Sequence, residues 1–215
     1  MIKDYSGRFV TLKEIPDQVR NDGSSIILFL GKYNRLKMID YNNSTLYFVT
    51  VTTKGRVCLF GTIDEGQMHL NEMGMIVNNC WLDIPENFPD VVMDVFVVMP
   101  NHVHGIIMVN NSQKKTKGAK KSIHKPEKGL LEAVIGQFSY KSTMEIVTMT
   151  SREKSRREKT DEWRWSIWND NYYTRIIESE HYLNILRWYI IQNPYRWDVD
   201  RENPYRNIQK RRDIP

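Results

Sequence analysis

Hydrophobic positions change their period along this chain, and the changes mark out its elements. Leu46 to Thr53 are β-branched or aromatic almost throughout, which predicts a strand. A second short strand is expected at Val57 to Phe60, after the turn-like Lys54-Gly55-Arg56. Gln67 to Trp81 carries apolar residues at Leu70, Met73, Val77 and Cys80, a helical spacing. Pro85 and Pro89 follow, beyond the expected helix end. Two strands come next, Val91 to Val98 and His104 to Val109, joined as a hairpin through Met99-Pro100-Asn101. Leu130, Leu131, Val134, Ile135 and Phe138 mark an amphipathic helix. Trp168 to Ile177 predicts a further strand. A last helix opens at the N-cap Ser179, has Glu180 in its first turn, and runs to about Asn193, where Pro194 sets its limit. Without the short second strand and the last helix, the order is βαββαβ. That predicts an α+β chain with an antiparallel sheet, helices on one face and an additional C-terminal helix.

At this length one domain is expected, and it buries enough surface to fold without staples. Residues 1–32 read as an N-terminal extension, 33–197 as the domain and 198–215 as a C-terminal tail. No apolar run reaches the ~18 residues of a membrane span, and no signal peptide is evident. Cys58 and Cys80 fit neither a metal-binding spacing nor a disulfide framework. These features predict a cytoplasmic protein with reduced thiols and no membrane partner.

Charge adds a candidate partner. The net charge is +5, compatible with a polyanion without demonstrating one. The excess is concentrated in two loops. One holds Lys114, Lys115, Lys117, Lys120, Lys121, Lys125 and Lys128; the other holds Arg152, Lys154, Arg156, Arg157 and Lys159. Trp163, Trp165 and Trp168 follow the second loop, where unpaired bases could stack on them. The plain alternative is solvated loops and core tryptophans.

Chemistry enters with His102-Val103-His104. Residues i and i+2 of a strand point to one face, so both imidazoles can reach one ion. Two unrelated surface histidines, or one partnered in the core, would satisfy the same spacing. Tyr189 and Asn193 stand at i and i+4 of the last helix and share a face, with Leu183, Leu186 and Ile190 beside them for docking. On spacing alone, Tyr189 reads first as a core residue and Asn193 first as a helix-ending one.

Four blocks in order point further. They are Tyr47-Phe48-Val49-Thr50-Val51-Thr52-Thr53 with Arg56 and Cys58-Leu59-Phe60-Gly61; Val98-Met99-Pro100-Asn101-His102-Val103-His104-Gly105; Trp168-Asn169-Asp170-Asn171-Tyr172-Tyr173 with Arg175-Ile176-Ile177; and Tyr189-Ile190-Ile191-Gln192-Asn193-Pro194. Together they resemble the single-tyrosine transposases of the HUH class, in particular those associated with repetitive extragenic palindromes. The resemblance spans about residues 33–197.

This resemblance implies a ferredoxin-like core with the two histidines on a central strand. It implies Tyr189 as nucleophile, His102, His104 and Asn193 as ligands of Mg²⁺ or Mn²⁺, and DNA transposition as the activity. The substrate would be single-stranded DNA bearing a hairpin, cleaved and rejoined through a 5′-phosphotyrosine. Two imidazoles and an amide would add no negative charge to the ion. Lys114, Lys115, Lys117, Lys120, Lys121, Arg152, Arg156 and Arg157 would track phosphates. A monomer and a homodimer both fit. Three rivals stand beside this reading. A histidine-triad hydrolase needs a third alternate histidine, where Ile106 stands. A non-catalytic DNA- or RNA-hairpin-binding protein would not need the intact His102, His104 and Tyr189. An RNA-binding module would expect exposed aromatics on the central strands.

Overall fold

The computed structural model describes residues 2–3, 9–10, 44–110, 128–153 and 167–206. Two-residue strands β1 (Ile2–Lys3) and β2 (Phe9–Val10) pair with each other. The β-branched run expected at 46–53 forms β3 (Ser44–Thr52). Thr53 then leads into a single 3-10 turn, Lys54–Arg56, with Gly55 at φ 64°.

The next segment departs from expectation twice. Val57 to Phe60 is not a regular strand; instead Leu59 N and Phe60 N both donate to Pro100 O. The strands here are β4 (Gly61–Asp64) and β5 (Gln67–Leu70), paired as a hairpin. Glu65 (φ 47°) and Gly66 (φ 75°) form its two-residue loop, the conformation that suits a tight hairpin. The expected helix at 67–81 therefore loses its first turn to β5. Helix α1 spans Glu72–Leu82, and its N-cap Asn71 accepts from Gly74 N. The strand wins because Gln67–Leu70 pairs with Gly61–Asp64, while Asn71 offers the helix a capped start.

A short helix α2 (Ile84–Asn87) leads into β6 (Val91–Val98), and β7 (His102–Asn110) returns antiparallel to it. Helix α3 spans Lys128–Glu153. Of the strand expected at 168–177, only β8 (Tyr173–Ile176) is regular; Trp168 makes an isolated bridge to Thr53. Helix α4 covers Glu180–Gln192 and carries the expected N-cap, Ser179 accepting from Tyr182 N. A 3-10 segment, Pro194–Val199, follows.

The sheet order is β6-β7-β3-β8, with every neighbouring pair antiparallel. This is the order of a ferredoxin-like βαββαβ core, with β7 and β3 at its centre. Alternation along β3 divides its side chains. Tyr47, Val49 and Val51 join the larger core with Trp81 of α1 and Leu131, Val134 and Phe138 of α3. Leu46 and Phe48 join a second core with Leu183, Leu186 and Ile190 of α4. So α1 and α3 cover one face, and the additional helix α4 covers the other.

Trp168, a candidate base-stacking ring, is instead buried in the larger core against Phe60 and Phe138, and its Nε1 donates to Ser142 Oγ at 2.9 Å. Trp163, Trp165, Lys114, Lys115, Lys117, Lys120, Lys121, Arg156 and Arg157 lie outside the described residues. Arg152 falls in the last turn of α3. No helix among the described residues is long and apolar enough to cross a membrane.

One irregularity in β6 shapes the α4 face. The β6–β7 register shifts between Met93 and Phe96, a bulge that adds one residue to β6. Val91 and Met93 face α1 and α3 before it; Phe96 and Val98 do so after it. The bulge lets Asp94 meet α4 while its neighbour Val95 also packs in the second core. There the carboxylate Oδ2 of Asp94 accepts from Arg187 Nε at 2.8 Å and lies 2.6 Å from Nη2. Both side chains are buried, so this ion pair fastens α4 to the sheet two residues before Tyr189.

Candidate metal and nucleophile site

His102 and His104 alternate on β7 as strand geometry requires, opposite Thr52 and Thr50 of β3. They point to the α4 face, with ring centroids 4.4 Å apart. Val103 between them and Gly105 just after them face the other side. A Cβ at Gly105 would stand 2.4 Å from Trp81 Cζ2, so glycine is what lets the indole pack under the histidine strand.

Each imidazole is held from behind. Asn101 Nδ2 donates to Arg56 O (3.0 Å) and Glu202 O (2.8 Å). Those two carbonyls settle which way the amide points, so Asn101 Oδ1 is the atom 2.8 Å from His102 Nδ1. An oxygen there accepts only from an N–H. His102 therefore carries its proton on Nδ1 and presents a bare Nε2. Thr50 Oγ1 lies 2.8 Å from His104 Nδ1. On the far side of that ring, Tyr189 Oη lies 3.3 Å from Nε2. A phenol donating to Nε2 goes with an Nδ1–H donating to Thr50.

Helix α4 brings the remaining groups. Leu183, Leu186 and Ile190 seat it on the sheet, which turns Tyr189 toward His104 and Phe48, with ring centroids 5.2 and 6.1 Å away. Asn193 is the C-cap and is buried. Its Nδ2 donates to Asp200 Oδ2 at 2.8 Å. Asp200 is itself buried, and its Oδ1 accepts from Glu202 N at 2.6 Å. Ligand-capable atoms of His102, His104 and Asp200 lie within 4.8 Å of one another. Trp197 roofs His102 at a centroid distance of 6.1 Å.

Two acceptors in this cluster lack a hydrogen-bond partner among the described residues: His102 Nε2 and Asn193 Oδ1. Leaving a buried acceptor unsatisfied costs about 1–3 kcal/mol each. Two lone pairs left bare beside a second imidazole and a carboxylate make a donor set that could hold a cation.

Electrostatics agree. Burial lowers the His102 pKa to about 3, with the Asn193 amide pulling the other way. Burial also holds His104 well below the ordinary imidazole value; His102 adds to this and Asp200 opposes it. Both rings are therefore neutral at physiological pH, the form that binds metals. Burial, then the Asp200 carboxylate, pushes the Tyr189 phenol up to about 12, so it rests protonated; Asn193 and Arg196 oppose this and Glu202 adds to it.

The structure thus brings His102, His104, Tyr189 and Asn193 together. Sequence reasoning missed Asp200, which fell in the expected tail, and the supports Thr50 and Asn101. Asp200 also changes the expected charge, because a carboxylate joins the imidazoles and the amide. Asn101 was visible only as a turn residue, and Asp200 carries no spacing signal relative to the histidines.

An uncharacterised protein of Haemophilus influenzae is 37% identical to this chain over 173 residues, spanning 77% of this chain and 89% of the relative. No family model matches the chain. Two solved structures are similar in fold. A candidate transposase of Deinococcus radiodurans is 17% identical, with a TM-score of 0.41 over 73% of this chain and 95% of its own. A REP-associated tyrosine transposase, solved bound to a REP hairpin, is 14% identical, with a TM-score of 0.41 over 71% and 68%.

Proposed function

The chain belongs to one family with the Haemophilus influenzae protein, and we propose that it is a metal-dependent single-tyrosine transposase. It would cleave and rejoin single-stranded DNA at hairpin sites. The observation that carries this reading is the position of Tyr189 Oη, 3.3 Å from His104 Nε2, in a pocket that also holds the two bare acceptors.

The residues fit a divalent cation. His102 Nε2, His104 Nε2 and an oxygen from Asn193 or Asp200 would hold Mg²⁺ or Mn²⁺. When bound, such an ion supplies Lewis-acid polarisation of a phosphate oxygen and stabilises charge on the departing oxygen. The chain does the rest. Ile190, Leu186 and Leu183 fix the helix that aims the phenol. Tyr189 Oη attacks phosphorus, the P–O3′ bond breaks, and the phenolic proton is given up as the 3′-oxygen takes one. The products are a 5′-phosphotyrosine and a 3′-hydroxyl. Because one phosphodiester replaces another, rejoining needs no external energy source.

Substrate class rests on the ordered sequence blocks and the basic loops. The edge strand β8 adds to them. Tyr173 is exposed and lies edge-on to Phe48, which in turn packs on His104 and Tyr189. Arg175, also exposed, stacks over Tyr182. An exposed aromatic ring and an exposed guanidinium on the strand that pairs with Phe48 suit an unpaired base and a phosphate.

The test is covalent capture. Wild type and Tyr189→Phe are mixed with single-stranded hairpin DNA from the gene's flanks, with Mg²⁺ or Mn²⁺ and then with chelator, and run on a denaturing gel. A metal-dependent adduct in wild type alone is expected. An adduct surviving Tyr189→Phe moves the nucleophile elsewhere. Tight hairpin binding without any adduct makes the chain a non-catalytic hairpin binder.

A further inference from the structure

An amide can face a cation by its oxygen or repel it by its nitrogen, and the two ends have nearly the same shape. What decides is the partner of the other end. For Asn193 that partner is Asp200. Its Oδ2 takes the Nδ2–H at 2.8 Å, its Oδ1 takes Glu202 N at 2.6 Å, and Asn193 Oδ1 is left bare beside His102. Further along the same turn, Glu202 O receives Asn101 Nδ2 at 2.8 Å and helps aim Asn101 Oδ1 at His102 Nδ1.

We propose that Asp200 is a positioning residue: it and the turn through Glu202 set the polarity of the site, so that oxygen and bare imidazole nitrogen, not N–H groups, face the cation. This rests on the metal reading above. Acceptor count is what distinguishes aspartate from asparagine at this position. A carboxylate accepts on both oxygens, so Asp200 can serve Asn193 Nδ2 and Glu202 N together. An asparagine there can accept on only one atom. In Asp200→Asn the local bond from Glu202 N keeps the new oxygen, and the new NH₂ then meets the Asn193 NH₂. The conflict is relieved when the Asn193 amide turns over. Its oxygen then accepts from residue 200, and its NH₂ donates toward His102 Nε2. Both bare acceptors become satisfied, and the cation site closes.

This gives an outcome with opposite signs on two readouts, which loss of a structural contact would not produce. In chelator, Asp200→Asn melts at or above the wild-type temperature. Its Mn²⁺ affinity, read by electron paramagnetic resonance of the free ion, falls by at least about tenfold, the usual scale for groups that orient ligands. The exchange Asn193→Asp/Asp200→Asn restores an oxygen toward the histidines. The carboxylate it places at position 193 accepts from the NH₂ at position 200 by one oxygen and offers the other. Its affinity returns to within about threefold of wild type, because the acceptor count is restored. Asp200→Asn with wild-type Mn²⁺ affinity overturns the proposal. So does a melting temperature lowered as far as by Asp200→Ala, or an exchange variant no better than the single one. Wild type that binds no Mn²⁺ at all sinks the metal reading itself, and this inference with it.

Discussion

Replacing Arg187 with methionine tests how α4, and with it Tyr189, is held to the sheet. Arg187 and Asp94 are 4% and 3% exposed, and Asp94 Oδ2 lies 2.8 Å from Nε and 2.6 Å from Nη2. Methionine keeps most of the aliphatic stem but removes every donor. Among the described residues, Asp94 would retain the Val95 N–H on its Oδ1. A buried pair that loses one partner typically costs about 3–5 kcal/mol, because the remaining charge stays desolvated. For a chain of this size each kcal/mol moves the melting temperature by about 2–4 °C. The expected fall is therefore roughly 6–20 °C by calorimetry. The double variant Arg187→Met/Asp94→Leu removes both charges and should recover most of the loss, since apolar replacement of a whole buried pair is often neutral or stabilising. A single variant that loses less than about 1 kcal/mol would refute the reasoning, as would a double variant no more stable than the single.

Other consequences follow from the same geometry. Gly105→Ala drives a Cβ to 2.4 Å from Trp81 Cζ2, in a site where Trp81 is fully buried between Phe96 and Phe138; a loss of at least ~1–3 kcal/mol in urea unfolding is expected, and wild-type stability would contradict it. Thr50→Val removes the partner of His104 Nδ1 while keeping the shape; Mn²⁺ affinity should fall about 10- to 100-fold, and unchanged affinity would exclude Thr50 as a support. Metal-free stability should depend on pH with a definite sign. The unfolded chain protonates His102 near 6.5 and the folded chain only near 3, so stability is complete above about 6.5 and is lost as pH falls from there toward 3. A wild-type urea midpoint that runs parallel to that of His102→Gln across this window would count against it.

Much of this was legible because the relevant periods are short. A two-residue repeat put His102 and His104 on one face, and a four-residue step put Tyr189 beside Asn193. Ser179 and Pro194 bounded α4 for local reasons. What stayed hidden was set by distance along the chain. The Asn101–Glu202 contact joins residues 101 positions apart, and nothing near either residue announces it. The β6 bulge was hidden differently. Its strand is apolar toward both faces, so Val-Val-Met-Asp-Val-Phe-Val-Val has no alternation to betray an extra residue. At Gln67–Leu70 the apolar spacing fitted a helix, and the competing hairpin rested on a Glu-Gly loop that pattern alone undervalues.

The central strand β7 divides its duties by parity. Val103, Ile107 and Val109 belong to the larger core, while His102 and His104 stand on the opposite side. Chemistry and architecture are therefore inherited on alternate codons of one short stretch. On the proposed function, a descendant that no longer cut DNA could lose the even-numbered histidines while Val103, Ile107 and Val109 kept their places in the larger core. The folded shell would outlive the reaction. On that same proposal, whether a relative in this family still has an occupation comes down to the side chains at 102, 104, 189, 193 and 200, rather than to how well the rest of it aligns.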